Sequence, residues 1–333
     1  MIYPRPIAMQ DQSRPRGAFS LAGGWCWFDR VDLLERGQPA RTVDARDLPA
    51  DELDRLTAPR AAFAGLALDR PRIMGILNVT PDSFSDGGRY LEPQAALQQG
   101  RSLLAEGADV LDIGGESTRP GAVLVPESEE IARTVPVIAA LRAGGMTTPI
   151  SIDTRKAGVA RAALDAGADA VNDVSALTHD PGMTGVLSDA QVPVILMHAQ
   201  GAPETMQDDP RYDDVALDVF DALAARVLAA EAAGIARNRI VIDPGIGFGK
   251  TVAHNLALIR GISLFHGLGL PVMLGASRKR FIGTLGGDAD ARMPGSVAVA
   301  LAGVAQGVQM LRVHDVAATR QALALWQAVW SAK

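Results

Sequence analysis

EGADVLDIGG at residues 106–115 and AGADAVNDVS at residues 166–175 are two copies of one local pattern. In each, a glycine (Gly107, Gly167) stands where a helix would stop, because glycine accepts the left-handed backbone of a C-terminal cap. A short apolar run follows without polar alternation, which describes a strand buried on both faces. Each run then ends in polar residues, Asp112 in the first copy and Asn172 with Asp173 in the second. The same unit recurs from Arg72 to the C-terminus. Apolar runs occupy 73–79, 110–114, 150–153, 170–174, 192–197, 240–243, 271–274 and 310–313. Stretches rich in Ala, Leu, Arg and Glu predict helices at 93–106, 128–142, 156–166, 214–233, 295–306 and 317–329, with Gly234 as a further cap. Eight strand units covered by helices predict an α/β fold, a closed TIM (β/α)8 barrel in preference to an open doubly wound sheet.

The chain has 333 residues, enough for one barrel of typically ~250 residues and an extra segment. Residues 1–70 lack the regular pattern and are read as an N-terminal extension of unassigned role, leaving 71–333 for the barrel. With 48% hydrophobic and 21% charged residues, the chain can bury a large core. A net charge of −6 argues against a general nucleic-acid or anionic membrane surface. The single cysteine, Cys26, cannot form an intrachain disulfide, which fits a reducing compartment. The first residues hold no apolar signal segment, and no run approaches the ~18 residues of a membrane span. A cytoplasmic protein without nucleic-acid or membrane partners is the resulting expectation.

Barrel enzymes gather their active sites at the C-terminal ends of the strands. Here those ends carry Asn78, Asp112, Asp153, Asn172 with Asp173, His198, Asp243, then Ser277-Arg278-Lys279, and finally Arg312 with His314. Helix capping is the competing explanation for Asp173 and Asp112. It does not extend to Lys279, Arg312 or His314. The charges also sort by type. Asp153, Asn172 and Asp243 suit a flat heterocycle with several N–H donors, since a carboxylate accepts two parallel N–H bonds. Arg119, Lys279, Arg312 and His314 suit a phosphate-type leaving group.

The motifs GILNVTPDSFSDGG from Gly75, DIGGESTRPGA from Asp112, SIDTRK from Ser151, NDVSAL from Asn172, LMHAQGAPETMQ from Leu196, DPGIGFGK from Asp243, GASRKRFIG from Gly275 and RVHDV from Arg312 together resemble the dihydropteroate synthases. The resemblance covers the chain from about Arg72 onward. It implies a pterin site of Asp153, Asn172, Asp243 and Lys279, with Met197 packed on the ring; plain barrel core is the alternative for Met197. It implies pyrophosphate near Asn78, Arg312 and His314, with Mg2+ bridged to Asn78. Thr118, Arg119 and Pro120 would close over p-aminobenzoate, with Phe84, Phe248 and Ser277 lining that side. Lys279, Arg119, Arg312 and His314 are the implied catalytic group. The implied reaction is substitution at the exocyclic CH2 of a dihydropterin pyrophosphate, with no protein nucleophile. The resemblance also implies a homodimer and competition by sulfonamides. A pterin-binding methyltransferase using methyltetrahydrofolate and a non-catalytic pterin-binding paralogue are the rival readings.

Several features read as structural. GIGFGKT from Gly245 is not a phosphate loop, because Pro244 occupies the position where that pattern needs glycine. Lys250 is then a solvent-facing loop lysine. Cys26 is an ordinary thiol, and His179, His254 and His266 lie away from strand ends. Trp326 and Trp330, four apart, suit the packed face of the last helix or a subunit interface.

Overall fold

The computed structural model describes residues 1–79, 92–117, 124–201, 205–286 and 291–331. The N-terminal segment is more ordered than its sequence pattern suggests. β1 (Ile2–Pro6), β4 (Arg30–Glu35) and β5 (Arg41–Asp44) form an antiparallel sheet, β2 (Phe19–Ser20) pairs with β3 (Trp27–Phe28), and α1 (Ala50–Thr57) follows. Leu21, Cys26, Phe28, Val31 and Leu56 give this unit a small core of its own.

Eight strands then form one parallel sheet: β6 (Arg72–Asn78), β7 (Val110–Gly114), β8 (Ile150–Asp153), β9 (Ala170–Asp173), β10 (Val194–Met197), β11 (Ile240–Asp243), β12 (Met273–Leu274) and β13 (Met310–Val313). Their order is β11-β10-β9-β8-β7-β6-β13-β12. A parallel bridge between Ile242 and Val272 joins the two ends, closing the barrel. The eight predicted runs all become strands, with ends shifted by no more than two residues. The six predicted helices appear as α2 (Glu92–Ala105), α3 (Glu127–Ala143), α4 (Ala157–Asp165), α6 (Val215–Ala232), α9 (Met293–Val304) and α10 (Val316–Ser331). α5 (Met183–Ala190), α7 (Val252–Arg260), α8 (Arg280–Gly286) and a 3-10 helix at Ile262–Leu268 complete the ring and were not legible in the pattern. Gly107, Gly167 and Gly234 have φ of 101°, 109° and 90°, as the cap reading requires.

Residues i and i+2 of a strand share a face, and this parity separates two cores. Ile73, Leu77, Leu111, Ile113, Ile150, Ile152, Val171, Val194, Leu196, Ile240 and Ile242 point outward into the layer under the helices. Met74, Val110, Ala170, Ile195, Val241, Met273 and Met310 fill the N-terminal end of the barrel, where Phe63 and Leu68 close it. The N-terminal unit is therefore also the cover of the barrel bottom. Its sheet docks on α6 and the 3-10 helix: Tyr3 stacks edge-on to Phe220 at 5.4 Å, its hydroxyl donates to Asp221 at 2.9 Å, and Ser263 Oγ donates to the Pro6 carbonyl at 2.8 Å.

Candidate active site

Two residues above the apolar bottom layer, the same faces turn polar. Val110 is followed by Asp112, Ala170 by Asn172, Val241 by Asp243 and Met310 by Arg312, while Ser151 leads to Asp153. All but Arg312 are buried, Asp112 fully. Arg312 Nε donates to Asp112 Oδ2 at 2.5 Å and its Nη2 to Asp153 Oδ2 at 2.5 Å. Asn172 Nδ2 donates to Asp112 Oδ2 at 3.1 Å. One guanidinium thus holds two carboxylates that would otherwise repel. The other oxygens, Asp112 Oδ1, Asp153 Oδ1 and Asn172 Oδ1, are buried and accept no hydrogen bond from the described residues. A buried acceptor left unpaired costs about 1–3 kcal/mol, so three together mark a surface built to receive donors. Burial, reinforced by Asp112, pushes the Asp153 carboxyl up against the pull of Arg312. Burial likewise raises Asp243, with Lys279 opposing.

Asp112 corrects the pterin set, which left it out, helix capping being its competing explanation. It caps no helix and stands beside Arg312 and Asn172 in the floor of the site. Asp173 caps no helix either, since α5 starts from Gly182; it holds the turn after β9, its Oδ1 accepting from Ser175 N and Oγ and its Oδ2 from Leu177 N. The sequence held the signal for Asp112, since it shares the inward parity of Val110, as Asn172 shares that of Ala170.

The loop after β11 forms one wall. Gly245, Gly247 and Gly249 have φ of 68°, 84° and 60°. A Cβ at Gly245 would lie 1.8 Å from His198 O, and one at Gly249 2.5 Å from Gln200 O, so side chains are excluded. This path turns the Ile246 carbonyl toward Lys279, whose Nζ donates to it. The same ammonium lies 4.3 Å from the centroid of Phe248. Burial pulls Lys279 down to about 7, against the pull of Asp243. Gly275, past β12, keeps the floor open: a Cβ there would lie 3.3 Å from Asp243 Oδ2. His314 Nδ1 lies 3.1 Å from Ser277 Oγ, joining two more expected residues. Asn78 ends β6 beside Gly114. Met197 ends β10 and lines, with Val174, His198, Leu223, Arg226 and Phe248, a cavity of about 340 Å³ beside the floor.

Lys250 is the second correction. It is 3% exposed, not solvent-facing. The structure thus brings together Asp153, Asn172, Asp243, Lys279, Phe248 and Arg312 around one floor, with Met197, Ser277 and His314 at its edges. Phe84, Thr118, Arg119 and Pro120 lie outside the described residues. The stalk of that last loop is anchored: Glu116 accepts from Val125 N at 2.9 Å and pairs with Arg155 at 3.1 Å and Lys156 at 3.2 Å. Sequence reading gave none of these three charges a role.

The pterin binding enzyme family matches residues 74–314. A dihydropteroate synthase of Neisseria meningitidis serogroup B is 50% identical over 271 residues, covering 79% of this chain and 94% of the relative. The Xanthomonas albilineans dihydropteroate synthase solved with 4-aminobenzoic acid superposes with a TM-score of 0.77 at 51% identity, covering 83% of this chain and 100% of that one. The same enzyme solved with 7,8-dihydropteroate gives a TM-score of 0.74 at 48% identity, with the same coverage.

Proposed function

We infer the chemistry of the site from one premise: the chain belongs to the pterin binding enzymes and, among them, to the dihydropteroate synthases. It is a transferase of folate biosynthesis. It condenses 6-hydroxymethyl-7,8-dihydropterin pyrophosphate with p-aminobenzoate, giving 7,8-dihydropteroate and pyrophosphate. The methyltransferase and non-catalytic readings are set aside.

The observation that carries the residue assignment is the set of unpaired buried acceptors on Asp112, Asp153 and Asn172, next to Asp243. A dihydropterin presents N–H donors on its 2-amino group and ring nitrogens, and unpaired buried acceptors are the partners such donors need. In the reaction the C–O bond to pyrophosphate breaks, a C–N bond to the p-aminobenzoate amine forms, and the amine gives up a proton. No protein nucleophile takes part; positioning and charge placement do the work. Arg312 opposes the upward push of burial on the Asp153 carboxyl, and negative charge on this floor favours a cation developing on the pterin. Lys279, with its pKa pulled to about 7, puts less positive charge beside that cation than an ordinary lysine would. We assign His314 and Arg119 to the anionic end, Phe84, Thr118, Pro120, Phe248 and Ser277 to the p-aminobenzoate side, and Met197 to the pterin ring.

Among the described residues no group of three His, Cys, Asp or Glu side chains could hold a metal. The single amide of Asn78 fits an ion carried in by pyrophosphate, because Mg2+ keeps few protein ligands and prefers phosphate oxygens. Asn78 would hold Mg2+, which would offset the charge of the leaving group. A homodimer through α10 accounts for Leu325 and Val329 being 64% and 69% exposed, and sedimentation of the purified chain tests it. Among the described residues no helix is long and apolar enough to cross a membrane, and the buried free Cys26 supports a cytoplasmic setting. A Yersinia pestis relative was solved with a sulfonamide drug; for this chain we propose competition of sulfonamides with p-aminobenzoate.

The assay that tests the assignment is pyrophosphate release in Asp112→Asn and Asp153→Asn variants. The expected result is a KM for the pterin substrate raised at least tenfold in each, about 1.4 kcal/mol. Wild-type KM values in both would remove the floor from the pterin site.

A further inference from the structure

Lys250 has no part in the chemistry described so far, yet it is almost fully buried directly behind the Phe248 wall. Its Nζ lies 2.9 Å from the Gly245 carbonyl, 2.9 Å from the Phe248 carbonyl and 2.9 Å from His198 Nδ1. An ammonium has three N–H donors and no acceptor, so three acceptors at this distance satisfy it. With Lys250 as the donor, His198 Nδ1 accepts and the ring proton sits on Nε2; burial also lowers Lys250 itself to about 7. Burial and then the Lys250 charge pull His198 down to about 3, which keeps the imidazole neutral.

Neighbours hold the same loop from outside. Gln207 Nε2 donates to the Gly247 carbonyl at 2.5 Å, Tyr212 donates to the Gly249 carbonyl at 2.8 Å, and Gly247 N donates to Asn255 Oδ1 at 2.7 Å. Three left-handed glycines make the loop intrinsically free, so its shape has to come from these contacts. We propose that Lys250 is a positioning residue for the reaction: it holds the loop after β11 in the shape that presents Phe248 and the Ile246 carbonyl to Lys279. A misplacement on the order of 1 Å of groups around the reacting atoms can cost about a hundredfold in rate.

The inference rests on the dihydropteroate synthase reading, and wild-type activity in the same assay separates the two: an inactive wild type overturns that reading. The test is steady-state kinetics of Lys250→Met with both substrates varied, beside pterin pyrophosphate affinity by calorimetry and melting temperature. The expected result is a kcat lowered at least about tenfold in a folded protein whose pterin affinity stays within threefold. A merely structural lysine would lower the melting temperature and leave kcat alone, and that outcome overturns the proposal. If Lys250→Met does not fold, Tyr212→Phe decides. It removes one outer contact, and a kcat lowered about threefold at unchanged melting temperature supports the proposal, whereas wild-type kcat overturns it.

Discussion

The two ends of this barrel are made by the same eight strands, and they differ in what the inward side chains do. At the N-terminal end Met74, Val110, Ala170, Ile195, Val241, Met273 and Met310 pack under Phe63 and Leu68. Two residues higher, Asp112, Asn172, Asp243 and Arg312 occupy the same faces, joined by Asp153, and three of their oxygens accept nothing from the described residues. The bottom buries mainly apolar side chains, with the Ser151 hydroxyl unpaired among the described residues. The top buries charge and leaves part of it unsatisfied. Such a surface lowers stability unless a ligand completes it, so the bottom must supply what the top gives up.

That contrast can be broken most severely at Arg312. Arg312→Met leaves Asp112 and Asp153 buried without a counter-charge, and breaking a buried pair costs roughly 3–5 kcal/mol. Denaturant unfolding should show a loss of that size, together with loss of pyrophosphate release. A variant as stable as wild type would mean that the two carboxylates are not held by this guanidinium.

Phe63→Ala probes the opposite end. Phe63 is 1% exposed, and truncating a buried Phe costs about 3–5 kcal/mol. Unfolding should shift by that amount, while kcat below the melting temperature stays at the wild-type value. A large fall in kcat without loss of stability would erase the division between the ends.

The pH dependence sharpens the comparison further. Lys279 titrates at about 7 when folded, against the ordinary 10.5. Between those values the unfolded chain binds the proton that the folded chain has released, so stability rises with pH through that window. Below it both states are protonated and the full cost of the buried charge remains. Lys279→Met should flatten the rise by about one bound proton, whereas Phe63→Ala should leave the slope as it is. Equal slopes in wild type and Lys279→Met would place Lys279 in solvent.

Most of this contrast was legible in the chain. Strand parity alone lines up Val110 with Asp112 and Val241 with Asp243, and unbroken apolar runs mark the strands because both their faces are buried. What stayed hidden depends on contacts distant in sequence. Asp112 resembled a cap because its partners, Asn172 and Arg312, lie 60 and 200 residues away. Lys250 read as exposed because its burial follows from three left-handed glycines folding the loop back on His198. The N-terminal strands, two to six residues long, are fixed by pairing and by docking on α6, which no local periodicity records.

The measurement closest to the central claim is calorimetric titration of pterin pyrophosphate into wild type, Asp243→Asn and Phe63→Ala, with each melting temperature recorded. Asp243→Asn replaces an acceptor by a misplaced donor, and loss of a charge-assisted bond costs roughly 1.5–3 kcal/mol. Asp243→Asn should therefore bind at least tenfold more weakly while remaining folded, and Phe63→Ala should melt earlier while binding as wild type does. Unchanged affinity in Asp243→Asn, or weakened affinity in a folded Phe63→Ala, would contradict the assignment of recognition to one end of the barrel and stability to the other.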